Sequence, residues 1–186
     1  VPSYKTDDYF CLLSILNSDI INQVFNSLYG TLHMSGKYLR YNGSFMKTLP
    51  MPENFPLILS KIGRINQFLS QLVFFIVQES NTSFKNEINS KNISNLLEFF
   101  KKLSNSLVYQ LYMRSEEGIE LNKLLKSGNL LPDIKFKYFY PRFDLLKYVT
   151  YTNKELRDNI DQIYSCSKIL SGNLDLMYEI NNYKYY

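Results

Sequence analysis

Side chains that could support acid–base, nucleophilic or metal chemistry are few in this sequence and far apart. The only histidine is His33, so neither a Ser-His-Asp triad nor a histidine-based zinc site could draw on a second imidazole. It lies between a predicted helix end and a predicted strand, where a structural or solvent-exposed role is favoured. Cys11 and Cys166 stand alone, so neither belongs to a metal-ligand pair, and their scarcity favours a reducing compartment.

Glycine clusters and paired carboxylates give no sign of an active site either. No two of the seven glycines form the G-x-G of a nucleotide-binding loop. The pairs Asp7-Asp8 and Glu116-Glu117 fall at predicted helix starts, where negative charge interacts favourably with the helix dipole. We therefore expect no complete catalytic site in this chain. Any enzymatic activity would lie elsewhere in a larger protein.

The composition is that of a globular intracellular protein. Of 186 residues, 45% are hydrophobic and 20% are charged, with a mild net charge of +4 that does not by itself indicate nucleic acid. The longest apolar stretch, residues 72–77, is too short to cross a bilayer, and no secretory signal is evident. We expect a cytoplasmic protein without a membrane partner. The absent initial Met suggests a fragment.

Residues 1–52 are predicted to hold two helices, a short strand and a proline-containing exit. Apolar residues recur at helical spacing on both sides of Ser18, which could cap the second helix. Lys37 to Tyr41 alternates and is bounded by glycines, which predicts a strand. Leu49 to Pro52 must be extended, because each proline restricts its own backbone and that of its predecessor.

Residues 53–127 carry a heptad pattern. Apolar residues recur at spacings of three and four from Ile58 to Ile76, and again from Ile93 to Leu107. A polar loop over residues 79–92 separates the two series, so they predict an antiparallel, coiled-coil-like helical hairpin. Such a hairpin could separate or dimerise recognition modules, or it could be an ordinary helical core. The sequence leaves both possibilities open.

Residues 128–186 are predicted to form an extended aromatic segment followed by a helix. Residues 134–140 alternate and mix aromatic with basic side chains, as in a core-packed strand, an extended packing arm or a surface that stacks on unpaired bases. The first two are favoured. Residues 152–155, Thr-Asn-Lys-Glu, form a capping box that opens a helix through Leu170. The polar, aromatic tail over residues 178–186 is expected to fray.

Four motifs between residues 9 and 52 stand in a distinctive order. They are the helix segment LLSILNS at 12–18, the turn Gly30-Thr31, the strand KYLRY at 37–41 and the exit LPMP at 49–52. This order resembles the closing section of the Taq-like target-recognition domain of adenine-specific type II restriction-modification methyltransferases. A weaker similarity, through SLVYQLY at 106–112, extends the resemblance to about residue 120.

The resemblance implies a function for the chain. It would be the DNA-binding specificity region of an adenine DNA methyltransferase, with double-stranded DNA and a methyltransferase catalytic domain or subunit as partners. The parent enzyme would use S-adenosylmethionine, and this chain would hold no cofactor. The catalytic Asn-Pro-Pro-Tyr type motif of that family is absent, since no two prolines here are adjacent. Whether the parent also cleaves DNA is left open.

A local group of cations and tyrosines supplies the candidate DNA-binding residues. Lys37, Arg40 and Lys47 lie within eleven residues that contain no acid, beside Tyr38 and Tyr41. Cations at phosphates release condensed counterions and fix the register of a protein on DNA rather than read its sequence. The alternative is that the tyrosines belong to the core while the cations only solubilise a strand edge.

These observations together predict a mainly α chain with a small β element. Its centre would be an antiparallel helical hairpin attached to the end of a target-recognition domain, divided into residues 1–52, 53–127 and 128–186. One alternative is a fragment of a type I restriction specificity subunit, whose helices bind methyltransferase subunits. Another is a helical protein-interaction module without DNA binding. Homo-oligomers could form through the hairpin in either case.

Overall fold

The structure, a computed structural model, describes residues 6–29, 47–52, 56–78, 82–89, 92–113, 130–137 and 151–183. Within these ranges the chain is mainly helical and contains no strand, which confirms the predicted α class. The helices are α1 (Thr6–Leu16), α2 (Asp19–Tyr29), α3 (Leu57–Gln78), α4 (Thr82–Asn89), α5 (Ile93–Met113), α6 (Asn153–Ser171) and α7 (Leu174–Asn182).

Ser18 lies at the sharp junction between α1 and α2, as its predicted capping role requires. Its hydroxyl donates to the Ile15 carbonyl at 2.6 Å, and it accepts from the Ile21 backbone N–H at 3.4 Å. One buried side chain thus satisfies a carbonyl at the end of one helix and an amide at the start of the next. The Ser18 side chain is 1% exposed, so these bonds replace water that cannot reach it.

Both heptad segments are helices, and α3 packs directly against α5. Their apolar faces supply the centre of the core, where Ile62, Leu69, Phe100 and Leu103 have no exposed surface. Helix α1 covers another side of α3 and contributes Cys11 and Ile15 to the same cluster. One contiguous core spans these helices, and the two apolar stripes pack against neighbouring helices of the same chain.

The expected polar loop over residues 79–92 is partly wrong, because α4 occupies its middle. The polar composition argued against a helix here, since Asn and Ser are poor helix formers. A tertiary contact stabilises it instead: Ile88 on this helix is 2% exposed and belongs to the common core. Arg157 on α6 adds hydrogen bonds to both carboxylate oxygens of Glu87, at 3.1 and 3.0 Å.

The tail was also predicted incorrectly in part, because α7 extends from Leu174 to Asn182 where fraying was expected. Asn173 caps this helix by accepting a hydrogen bond from the Leu176 backbone N–H at 3.0 Å. Leu176 and Ile180 are each 1% exposed, so the helix is held by apolar packing against α5 and α6. Residues 184–186 lie outside the described ranges.

The capping box predicted at the start of α6 is confirmed. The Thr152 side chain accepts from the Glu155 backbone N–H at 3.2 Å, while the Glu155 carboxylate accepts from the Thr152 backbone N–H at 3.0 Å. Before this helix, residues 130–137 are neither helix nor strand. Leu131 and Ile134 are buried there, so residues 134–137 pack against the core as an arm, while residues 138–140 of the predicted segment lie outside the described ranges.

Several predicted features lie outside the described residues. These are His33, the glycine turn at residue 30, the strand over residues 37–41 and the helix predicted to start near Glu116-Glu117. The predicted β element is among them. Separately, none of the described helices is both long and apolar enough to span a membrane.

Candidate functional site

Of the five residues predicted to contact DNA, the structure describes only Lys47. Lys37, Tyr38, Arg40 and Tyr41 lie outside the described ranges, so their mutual arrangement stays a prediction. Lys47 lies in a turn with its side chain exposed to solvent. Exposure is the minimum condition for a phosphate contact, and Lys47 meets it.

The LPMP exit and the two residues before it, together called the exit segment (residues 47–52), are attached to the helical core by contacts from α2 and α5. The Thr48 hydroxyl and the Tyr29 hydroxyl at the end of α2 form a hydrogen bond, and Leu49 is buried in the core. The Tyr112 hydroxyl near the end of α5 donates to the Pro50 carbonyl at 2.7 Å. Burial, and secondarily the nearby Cys11, raises the pKa of Tyr112, which keeps its hydroxyl protonated as a donor. Lys47 is therefore presented from an anchored turn.

A second candidate site is a cavity of about 390 Å³ between α1, the start of α2, α3 and α5, called here the polar cleft. Its lining is mostly carboxamide and hydroxyl side chains with one cation and one carboxylate. Leu13 is the single apolar side chain among the described lining residues, and it is 40% exposed. The polar lining includes Asp19, Asn66, Gln67, Ser70, Lys101 and Asn105.

Close packing of α1 on α3 forms one wall of the polar cleft. A Cβ atom at Gly63 would lie 2.2 Å from the Phe10 carbonyl oxygen and 2.7 Å from the Ser14 hydroxyl, so only glycine permits this approach. The Ser14 hydroxyl in turn donates to the Leu59 carbonyl at 3.4 Å. The backbones of α1 and α3 approach closely at Gly63. The polar side chains beside this contact are not covered by apolar ones, and they line the cleft.

Hydrogen bonds to the body of the protein orient two of the carboxamides. Asn66 donates through Nδ2 to the Phe100 carbonyl at 3.3 Å, which leaves its Oδ1 buried without a hydrogen-bond partner among the described residues. Asn105 accepts through Oδ1 from the Asp19 backbone N–H at 3.1 Å, which leaves its Nδ2 as a donor. The cleft thus presents an acceptor, Asn66 Oδ1, and a donor, Asn105 Nδ2, because the hydrogen bonds of the two amides fix their orientation.

The charged groups of the polar cleft are Asp19 and Lys101. The Asp19 carboxylate accepts a hydrogen bond from the Tyr183 hydroxyl at 3.1 Å. Lys101 forms no ion pair within the part of the chain that the structure describes, whereas its neighbour Lys102 pairs with Glu98 at 3.0 Å. Lys101 and Asn105 are four residues apart on α5, so both side chains lie on the same helical face.

A third polar group, around Tyr151, is structural. Its hydroxyl accepts from the Lys137 backbone N–H at 2.8 Å and donates to the Lys135 carbonyl at 2.9 Å, while Lys137 pairs with Glu155. Burial is the main reason that the pKa of Tyr151 rises to about 12. The hydrogen bond from Lys137 is the main reason that the pKa of Glu155 is lowered. These contacts attach residues 130–137 to the start of α6.

Within the ranges that the structure describes, no three His, Cys, Asp or Glu side chains are grouped so that they could hold a metal ion. Cys11 and Cys166 are both buried and form no disulfide, and burial raises the pKa of Cys166 to about 11. A thiol held protonated in this way is a poor nucleophile. Cys166 is therefore not a candidate nucleophile.

Sequence analysis missed the polar cleft. A faint signal was present in the heptad segments, where Asn66 and Ser70, and likewise Lys101 and Asn105, are polar pairs spaced four apart. Such pairs usually mark a solvated helix face, so the pattern alone does not indicate a cavity. The site depends on α1 and α2 arriving beside those faces, which spacing along the chain does not reveal.

Comparisons of the chain with protein-family models, with curated proteins and with solved structures found no match.

Proposed function

We propose that this chain is the DNA-binding specificity region of an adenine-specific restriction-modification methyltransferase. It would position duplex DNA for a catalytic domain that binds S-adenosylmethionine and lies outside this chain. Lys47, together with Lys37 and Arg40, would contact backbone phosphates, with Tyr38 and Tyr41 beside them. Phosphate contacts of this kind set the position of the protein on the duplex.

The observation that carries the proposal is the anchoring of the exit segment. A region that positions DNA must transmit its geometry rigidly to the rest of the protein. The Tyr112–Pro50 hydrogen bond and the burial of Leu49 hold the exit segment against the helical core. The resemblance predicts that the recognition block, residues 9–52, leads directly into the paired helices that support it. The contacts of the exit segment are compatible with this prediction.

The helical support is proposed to be an antiparallel hairpin of α3 and α5. The mutual packing of these two helices, including the Asn66–Phe100 hydrogen bond, supports the pairing. In a methyltransferase this hairpin would hold the recognition block at a set distance from the catalytic domain. In a fragment of a type I specificity subunit the same hairpin would bind methyltransferase subunits.

Salt-dependent duplex binding tests the proposal. Fluorescence anisotropy of a labelled duplex at 50–200 mM salt should show an affinity that falls steeply as salt rises, because bound cations displace counterions. Lys47→Ala should weaken binding to all duplex sequences and reduce the slope of log affinity against log salt by about one. Combining it with Lys37→Ala and Arg40→Ala should reduce the slope further.

Lys154→Ala is the matched control, because Lys154 is an exposed cation at the start of α6, remote in sequence from the exit segment. It should leave duplex affinity unchanged. Absence of duplex binding even at low salt would contradict the DNA proposal. Equal losses for Lys47→Ala and Lys154→Ala would instead remove Lys47 from the site.

A helical protein-interaction module is the second candidate, and exposed apolar side chains favour it. Phe74 and Val77, one turn apart on α3, are each 73% exposed, and Leu174 on α7 is 84% exposed. Apolar side chains exposed singly are common on protein surfaces, so the pair on α3, which could form a contiguous patch, is the observation that favours a protein contact. For this candidate the low-salt titration should show no duplex binding, and Phe74→Ser should leave the fold intact while weakening association measured by sedimentation.

A further inference from the structure

We propose that the polar cleft binds a small phosphorylated sugar that retains free hydroxyl groups. This inference is independent of the proposed role in DNA positioning, since it uses none of the residues predicted to contact DNA. It derives from the cavity between α1, α2, α3 and α5 and from the hydrogen-bonding groups left available there.

The size and polarity of the cleft limit the class of ligand. A cavity of about 390 Å³ is at the small end of the range for ligand sites, which extends from roughly 300 to 1,000 Å³. Leu13 is the only apolar side chain among the described lining residues, and no described aromatic ring lines the cleft. A flat base needs an aromatic or apolar stacking surface, so a strongly hydrated, non-planar ligand fits better.

Lys101 supplies the group that a phosphate requires. It lines the cleft and has no ion pair in the described part of the chain, so its ammonium can donate to phosphate oxygens. The Asn105 Nδ2 donor lies one helical turn away, and Ser70 on α3 adds a hydroxyl from the facing helix. A cation and neutral donors that line one cavity from two helices can together bind a phosphate.

The acceptors of the cleft indicate that the ligand must also donate. Asn66 Oδ1 is buried without a partner among the described residues, and the bond from Nδ2 to Phe100 prevents a flip of the amide. Gln67 beside it makes no hydrogen bond in the described ranges and offers both a donor and an acceptor. Sugar hydroxyls donate and accept at once, so they match these carboxamides.

The same acceptors distinguish a free sugar phosphate from the backbone of duplex DNA. A DNA backbone has no hydroxyl donors, because its sugar oxygens are esterified or in the ring. A DNA backbone would leave Asn66 Oδ1 without a donor, which costs free energy in a buried position. The cleft therefore fits a ligand with one phosphate and several free hydroxyls.

Isothermal titration of the full chain with ribose 5-phosphate tests the inference, with ribose and inorganic phosphate as separate probes. We expect saturable binding of ribose 5-phosphate, at least about tenfold tighter than either part alone, because both sets of groups are engaged at once. Lys101→Ala should weaken it about tenfold or more by removing a charge-assisted hydrogen bond. Gln67→Ala should weaken ribose 5-phosphate binding while leaving inorganic phosphate binding unchanged.

Lys102→Ala is the control, since Lys102 is adjacent in sequence but pairs with Glu98 outside the cleft. It should bind ribose 5-phosphate as the parent chain does. Lack of saturable binding, or equal effects of Lys101→Ala and Lys102→Ala, would overturn the inference. Displacement of ribose 5-phosphate by duplex DNA would overturn it too, by assigning the cleft to a backbone phosphate. Duplex binding that persists in Lys101→Ala would leave the DNA proposal unaffected.

Discussion

At the scale of single residues, Gly63 shows how one absent side chain determines the packing of two helices. Helix α1 approaches α3 so closely that a Cβ at this position would overlap the Phe10 carbonyl, which is part of a rigid backbone and cannot rotate away. A glycine inside a helix normally reduces stability relative to alanine. Its presence in the middle of α3 is explained by this contact with α1.

Gly63→Ala should therefore destabilise the protein, against the usual preference for alanine in helices. The cost of forcing α1 away from α3 is expected to be about 1–3 kcal/mol, the range typical of overpacked cores. Urea denaturation followed by circular dichroism measures the change in the free energy of unfolding.

Gly172→Ala is the control, because the nearest atoms to a Cβ at that position lie at 3.5 Å, an ordinary contact distance. It should change the free energy of unfolding by much less than Gly63→Ala. If both substitutions had equal effects, the close approach of α1 to α3 would not exist as described.

At the scale of elements, the start of α6 both caps a helix and holds a non-helical arm. Glu155 completes the capping box with Thr152 and also pairs with Lys137 on the arm. Tyr151, immediately before the cap, bridges the backbone of Lys135 and Lys137. Glu155 of the capping box and Tyr151 just before it thus also attach the non-helical arm to the start of α6.

Glu155→Gln should make the stability of the protein less sensitive to acid. Because the pKa of Glu155 is lowered in the folded state, its carboxylate stabilises the fold above the ordinary value of 4.5. That contribution is lost as pH falls through the lowered value. The parent chain should therefore be more stable than the variant at pH 7, with the difference shrinking below pH 4.5.

Urea midpoints measured from pH 7 to pH 3 test this expectation. Glu98→Gln is the comparison, since it removes a carboxylate from the exposed pair with Lys102. A stability difference between the parent chain and Glu155→Gln that stays constant across this range would rule out the proposed linkage.

At the scale of the whole molecule, contacts between distant parts of the sequence unite the helices in one core. Tyr112 joins α5 to the exit segment, Tyr183 joins the end of α7 to Asp19, and Gln110 donates to Glu179 at 3.3 Å. Glu179 is 3% exposed and therefore depends on such a partner. Helices α2 and α7, which are far apart in the sequence, thus meet beside α5.

Tyr112→Phe should loosen the exit segment without disturbing the core. The lost hydrogen bond to Pro50 should cost about 1 kcal/mol in the free energy of unfolding. Because Lys47 is exposed, limited trypsin digestion should cleave after it faster in the variant. Tyr109→Phe is the control, since that hydroxyl has no hydrogen bond in the described part of the chain. Unchanged cleavage after Lys47 in Tyr112→Phe would argue that the segment is held by other contacts.

Much of the helical framework could be predicted because local rules agree with the tertiary contacts there. The heptad spacing in α3 and α5, the junction at Ser18 and the capping box at Thr152 are each visible within a few residues. The incorrect predictions concern two segments in which burial against distant parts of the chain outweighs the local sequence preference. Polar α4 is stabilised by the burial of Ile88, and α7 by the burial of Leu176 and Ile180.

The sequence by itself determined the helical class, the main helix positions and the lack of a recognisable catalytic motif, since periodicity, caps and motif spacing are local properties. Only the tertiary structure decided that the helices share one core and that the exit segment is anchored by Tyr112. It also created the polar cleft, because Asn66, Lys101 and Asp19 meet only when three helices pack. Contacts between residues far apart in the chain depend on packing geometry, which local patterns do not encode.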